Sequence, residues 1–221
     1  MLIPLSTAAI YYYVFNLVFK VKLDHYLVFI LSGTLVWGFI NQTIMEGMES
    51  IVGGAGLITK VPVPIPVLPF VVSATNIVTL LLAIPILLAV ALGSHAPLSS
   101  SVALLPLYFL ILFSMAYGIA LILSVFFVLF RDLRHIMSIV MTIWFYITPV
   151  VYDEKMIPER FSWVLYANPF GLFFTHLHSI CVRGEWPNLA QFGIILLWAI
   201  SIQLLAIAVL KYLAEGIVEQ I

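Results

Sequence analysis

"VLPFVVSATNIVTLLLAIPILLAVALGSHAPLSSSVALLPLYFLILFSMAYGIALILSVFFVLF", residues 67–130, decides the fold class. No Asp, Glu, Lys or Arg occurs anywhere between Lys60 and Arg131. A hydrocarbon core about 30 Å thick is crossed by roughly 20 apolar residues in a helix, so this stretch makes two crossings. The Gly, Pro and Ser of "GSHAPLSSS" (93–101) supply the turn between them. The whole chain agrees: 64% of its 221 residues are hydrophobic and 9% charged, with a mean hydropathy of +1.19. Ordinary soluble domains are about a quarter charged, and a water-facing fold could not cover itself with so little polar surface. The sequence is that of a polytopic membrane protein.

The same ruler, moved outward, predicts an all-α membrane protein of six transmembrane helices. The spans fall at about 2–19, 26–46, 67–92, 102–130, 136–152 and 188–211, in one transmembrane domain covering 1–221. Residues 2–19 do not read as a signal peptide, because no basic residue precedes the apolar run. Two segments fit no span. "EGMESIVGGAGLITKVPVPIPVLP" (46–69) prolongs span two as helix, breaks at Gly53-Gly54, and enters a proline ladder at 62, 64, 66 and 69 that helix cannot traverse. "DEKMIPERFSWVLYANPFGLFFTHLHSICVRGEWP" (153–187) reads as two short helices, about 158–167 and 169–182. Pro158 sits in the first turn of one; Asn168 caps the other, with Pro169 as its first residue. Each is too short to cross a bilayer, so the pair is expected to dip in and return on one side before the last span.

What is missing narrows the function. Within the expected spans no ionisable residue lies deeper than Glu46. A proton or ion relay leaves such groups inside the bundle at a cost of at least about 2.5–3.5 kcal/mol each. The two halves do not match as inverted-repeat transporters do. The sequence carries no phosphate loop, no H-E-x-x-H and no nucleophile elbow. His176, His178 and Cys181 are the best metal candidates, but residues 176 and 178 point well apart on a helix. With a net charge of −1 there is no nucleic-acid footprint. If the protein moves something, it is not an enzyme in its own right, and the free energy comes from a partner.

Four stretches carry a family resemblance: "LSGTLVWGFINQTIMEGMESIVGGAGLITK", "KVPVPIPVLP", "FRDLRHIMSIVMTIWFYITPVVY" and "IPERFSWVLYANPF". In that order, and covering most of the chain, they resemble the membrane permease of ATP-binding-cassette exporters (type 2 class) for lipid-linked polysaccharides such as O-antigen, capsule or teichoic acid. The resemblance implies a homodimeric channel in the cell inner membrane with both termini cytoplasmic, and a separate ATPase subunit that holds ATP and Mg. This chain would carry no cofactor of its own. The ATPase would dock on the loops between spans two and three (about 47–66) and between spans four and five. Glu46, Glu49, Lys60, Arg131, Asp132, Arg134 and His135 are the coupling residues this implies. Arginine and lysine do not fix the orientation. With cytoplasmic termini, inner loops hold Lys60, Arg131, Arg134 and Lys211, and outer loops hold Lys20, Lys22, Lys155, Arg160 and Arg183. Relatives usually begin with a basic interfacial helix, whereas this sequence starts already inside the first span. Ile65 stands where a basic residue commonly follows the proline, and His178 where an arginine is often found.

A sugar polymer presents hydroxyl edges and apolar C–H faces, which aromatic rings can pack without strong directed bonds. Tyr11, Tyr12 and Phe15, Trp37 and Phe39, and Trp144, Phe145 and Tyr146 are the candidate channel lining. Bundle packing competes with that role for each. A belt at the membrane interface suits Tyr26, Tyr152, Trp163, Tyr166, Trp186 and Tyr212. Two alternatives stay open: a related permease exporting a drug or lipid, and a membrane assembly subunit that transports nothing.

Overall fold

The computed structural model describes residues 10, 13, 25–58 and 63–218. Of the expected first span only residues 10 and 13 are described; Tyr11, Tyr12 and Phe15 lie outside the described residues, as does Lys60. The described chain is helical without strands. Eight α-helices run in order: α1 Tyr26–Gly53, α2 Ala55–Ile58, α3 Val67–Gly93, α4 Leu105–Leu129, α5 Leu133–Ile147, α6 Trp163–Ala167, α7 Gly171–His178 and α8 Leu189–Val218. Among the described residues four helical stretches are long and apolar enough to cross a membrane: Tyr26–Gly53, Val67–Gly93, Ser100–Leu129 and Leu189–Leu213. The helix Leu133–Ile147 is apolar but shorter.

Helix lengths follow local chemistry. No proline interrupts 26–53, and α1 stops where Gly53-Gly54 removes the side chains that favour helix. Pro69 is tolerated in α3 because it stands in the first turn, where its missing N–H has no intrahelical partner to lose. The α4 stretch opens with a 3₁₀ turn, Ser100–Leu104, capped by the Ser99 side chain, which accepts from the Ser101 N–H. Span five departs from expectation. Its helix begins at Leu133 rather than 136 and ends at Ile147 rather than 152. At about 1.5 Å per residue its 15 residues rise only about 22 Å. Thr148 donates its hydroxyl back to the Trp144 carbonyl, and Pro149 has no N–H with which to continue.

The re-entrant candidates also differ in detail. A 3₁₀ turn at Glu159–Phe161 follows Pro158, and α6 adds one more turn, in place of a continuous helix over 158–167. Asn168 is not the N-cap of α7, and Pro169 is not its first residue: the helix starts at Gly171. The Asn168 side-chain oxygen instead accepts the Phe170 N–H two residues on, an Asx turn that delays the helix. α7 then passes into a π-helical turn, Ser179–Arg183, closed by Gly184 at φ +66°. A side chain at Gly171 would meet the Leu165 backbone, so glycine there lets the two short helices approach closely.

The chain divides into two compact units. The first holds Met1–Gly38, Thr79–Tyr108 and Trp144–Leu196, and the second Phe39–Val78, Phe109–Ile143 and Leu197–Ile221. Helices α1, α3, α4, α5 and α8 each give one part to either unit. In the first unit Phe29, Ile30, Phe170, Phe173, Phe174 and His178 are fully buried. In the second, Ile51 and Val125 form a core joined by Val128, with Val52, Ile65 and Val209 against it.

Candidate coupling surface and aromatic node

In the second unit Gln42, Glu46 and Glu49 of α1 each have a polar partner. Gln42 donates to Glu46 Oε1 at 2.9 Å, one helical turn away. Asn76 of α3, itself buried, donates to Glu46 Oε2 at 3.2 Å. Glu49 faces a different partner: Arg134 Nε lies 2.9 Å from its Oε1. That contact joins α1 to the first turn of α5 across 85 residues of sequence. Both side chains keep solvent access, 61% and 34%, so the pair itself is worth about 0–1 kcal/mol. Its use is positional.

Residues 130–132 form the turn between α4 and α5. The Arg131 guanidinium sits over the Phe127 ring at 5.7 Å, and the Asp132 carbonyl accepts the His135 N–H at 3.0 Å. Arg131, Asp132, Arg134 and His135 are all exposed. A run without charge up to residue 130 thus ends in a water-accessible charged knuckle, and Glu49 is brought to it. Glu46 is held by Gln42 and Asn76 instead.

The proline segment is pinned in the same unit by aromatic contacts. Tyr117 of α4 donates its hydroxyl to the Pro66 carbonyl at 3.3 Å. Phe70 packs edge-on against Phe113 and Tyr117, each at 5.7 Å between centroids. Edge-on rings at such spacing are favoured by their quadrupoles.

The first unit gathers part of the candidate channel lining into one node. Trp37 meets Phe145 at 5.6 Å and Trp144 at 6.5 Å, both edge-on. Trp144 stands 5.3 Å from Phe170. Its indole N–H donates to the Asn168 side-chain oxygen at 2.9 Å, while the Asn168 amide donates to the Thr148 hydroxyl at 2.8 Å. Asn168 therefore ties the end of α5 to the α6–α7 turn with both ends of its amide. Trp37 and Phe39 are 8% and 4% exposed, a burial that suits packing within the chain better than an open lining. Trp144 and Phe145 are half-buried, and Tyr146 is 65% exposed.

No family model matches the chain. Individual proteins do. Over 199 residues, 87% of this chain, it is 30% identical to the O-antigen export system permease protein RfbA of Klebsiella pneumoniae, covering 77% of that protein. The protein of the same name from Myxococcus xanthus is 30% identical over 206 residues, 90% of this chain and 79% of its own length. A second Klebsiella pneumoniae protein so named is 29% identical over 182 residues. The chain belongs to the family of O-antigen export permeases of the ATP-binding-cassette type 2 class.

The permease carries polar groups that sequence reasoning did not find. Arg183 reaches Glu154 at 2.9 Å, Asp153 at 3.4 Å and Glu185 at 3.5 Å, and donates to the Ser179 hydroxyl at 2.7 Å. Burial raises the pKa of the Glu154 carboxyl, and the neighbouring Arg183 offsets this only in part. Of the metal candidates, His176 shares hydrogen bonds with Tyr108 at 2.8 Å and Gln191 at 3.0 Å. His178 stacks on Phe29 with ring centroids 3.7 Å apart, and Cys181 is buried. Among the described residues no group of three His, Cys, Asp or Glu is placed to hold a metal ion. In sequence Arg183 is only one of the outer-loop cations; the fold of α7 and its π turn brings it to Asp153 and Glu154.

Proposed function

We propose that the permease is the membrane subunit of an ATP-driven exporter, two copies of which enclose a channel that moves a lipid-linked polysaccharide outward across the cytoplasmic membrane. ATP and Mg belong to an ATP-binding-cassette partner, and both termini are cytoplasmic. The subunit crosses the membrane six times, α5 being the fifth span, with α6 and α7 as a re-entrant pair on the outer side. The names of the relatives support the cargo and the driving partner. The carrying observation is the Arg134–Glu49 contact. It makes one surface of the two loops that an ATPase would grip, and α5 runs directly from that surface toward Trp144, Phe145 and Tyr146.

Motion at the knuckle of Arg131, Asp132, Arg134 and His135 is then passed along α5 to its aromatic end. Glu46, held by Asn76, keeps α1 and α3 in step with it. Tyr146 is the best channel-lining candidate by exposure, while Trp37 backs the node. Replacing Arg131 and Arg134 together by Ala should release the ATPase in co-purification while leaving the permease inserted in the membrane. Undiminished co-purification removes the coupling role.

A further inference from the structure

A cavity of about 320 Å³ lies within the first unit, between the α5–α6 connection, α7 and the segment leading into α8. Its walls include Glu154, Lys155, Tyr166, Arg183, Trp186 and Gln191. None of the expected coupling or channel residues lines it. At the small end of ligand sites, which run about 300–1,000 Å³, it has room for a short piece of a ligand and not for a long polymer segment.

The lining is specific in its chemistry. Two aromatic residues, Trp186 and Tyr166, are 63% and 44% exposed, and Trp186 is the more open of the two. Gln191 is already oriented, its Oε1 on His176 at 3.0 Å and its Nε2 toward the Tyr166 hydroxyl at 3.5 Å. Arg183 is fixed by Glu154 and Ser179. Glu154 lines the cavity, and its Oε2 is buried without a hydrogen-bond partner, an acceptor left unmet. Lys155 and Arg183 balance Glu154 and Glu185, so the site has little net charge with which to select an anion. Rings for apolar C–H faces, with donors and acceptors around them, match a pyranose. A phosphate or a carboxylate would call for an excess of cations.

We infer that this cavity is a binding subsite for a neutral sugar, with Trp186 as stacking platform and Glu154, Arg183 and Gln191 reading hydroxyls. The inference rests on the exporter reading only for its biological source, a residue of the glycan in transit; the chemistry is independent of it. Trp37, Trp144, Phe145, Asn168 and Phe170 of the aromatic node do not line it.

Saturation-transfer NMR on the full chain in lipid nanodiscs, with the methyl pyranosides of glucose, galactose and mannose as probes, tests this. At least one should bind. Trp186→Ala should weaken it about tenfold or more, Trp186→Phe should retain most of the binding, and Glu154→Gln should weaken it severalfold. Trp163, also exposed but outside the cavity, serves as control, and Trp163→Ala should bind as the parent does. No binding by any neutral pyranoside, stronger binding of glucuronate than of glucose, or equal loss in the Trp163 variant overturns the subsite. A companion assay follows surface polysaccharide in cells carrying or lacking the permease. Export without pyranoside binding refutes the subsite alone; pyranoside binding without any effect on export keeps the subsite and refutes the exporter reading.

Discussion

Asn168 shows how much one side chain can organise. Its amide takes the Trp144 indole N–H and the Phe170 N–H and gives to Thr148, and it is 7% exposed. Asn168→Ala should therefore lower stability by about 1–3 kcal/mol, because the partners lose a buried bond and gain no water. Thermal unfolding in detergent checks this; an unchanged midpoint would mean the node is ornamental. Glu154 gives a pH signature. Its pKa is raised in the fold, chiefly by burial, so the folded state holds the proton more tightly than the unfolded chain does. Its contribution is fully present below the ordinary carboxylate pKa and is lost as pH rises through the raised value. The stability difference between the parent and Glu154→Gln should shift against the parent over that rise. A pH-independent difference would contradict the assignment. Neither role was legible in the sequence. Asn168 reads locally as an ideal helix cap, and its actual partners lie 20 and 24 residues upstream, a distance at which local propensity is silent.

At the scale of elements the sequence was far more informative, because membrane helices are governed by run length, glycine and proline. α3 and α8 begin within a residue of the expected spans, and α1 ends at the Gly53-Gly54 break. The exceptions sit where polar side chains intervene: Thr148 folding back at the end of α5, and the Asx turn before α7. Glycines on one helix separate packing from mere tolerance. In α1, a Cβ on Gly47 would lie 2.7 Å from the Ala120 Cβ, whereas one on Gly38 meets nothing within 4 Å. Gly47→Val should cost about 1–3 kcal/mol by overpacking α1 against α4 in the second unit. Gly38→Ala should be neutral or stabilising by up to about 1 kcal/mol, since alanine is the better helix former. Paired unfolding curves of the two variants read the contrast directly, and equal destabilisation would contradict it.

For the whole molecule, composition carried most of the functional argument. Charged residues make up 9% of the chain, and the sequence places none of them deep in the expected spans. Its relatives are export permeases, and its exposed knuckle at residues 131–135 offers a place where a partner can act. Sequence could mark that knuckle as the end of an uncharged run. It could not show that Arg134 reaches back to Glu49, which joins α1 to the start of α5. The central claim is that the power stroke is borrowed. The most direct measurement reconstitutes the permease in vesicles, with and without its ATPase, and follows lipid-linked polysaccharide against its gradient. Movement that requires both the ATPase and hydrolysable ATP is the predicted result. Uphill movement by the permease alone, without nucleotide, would contradict it.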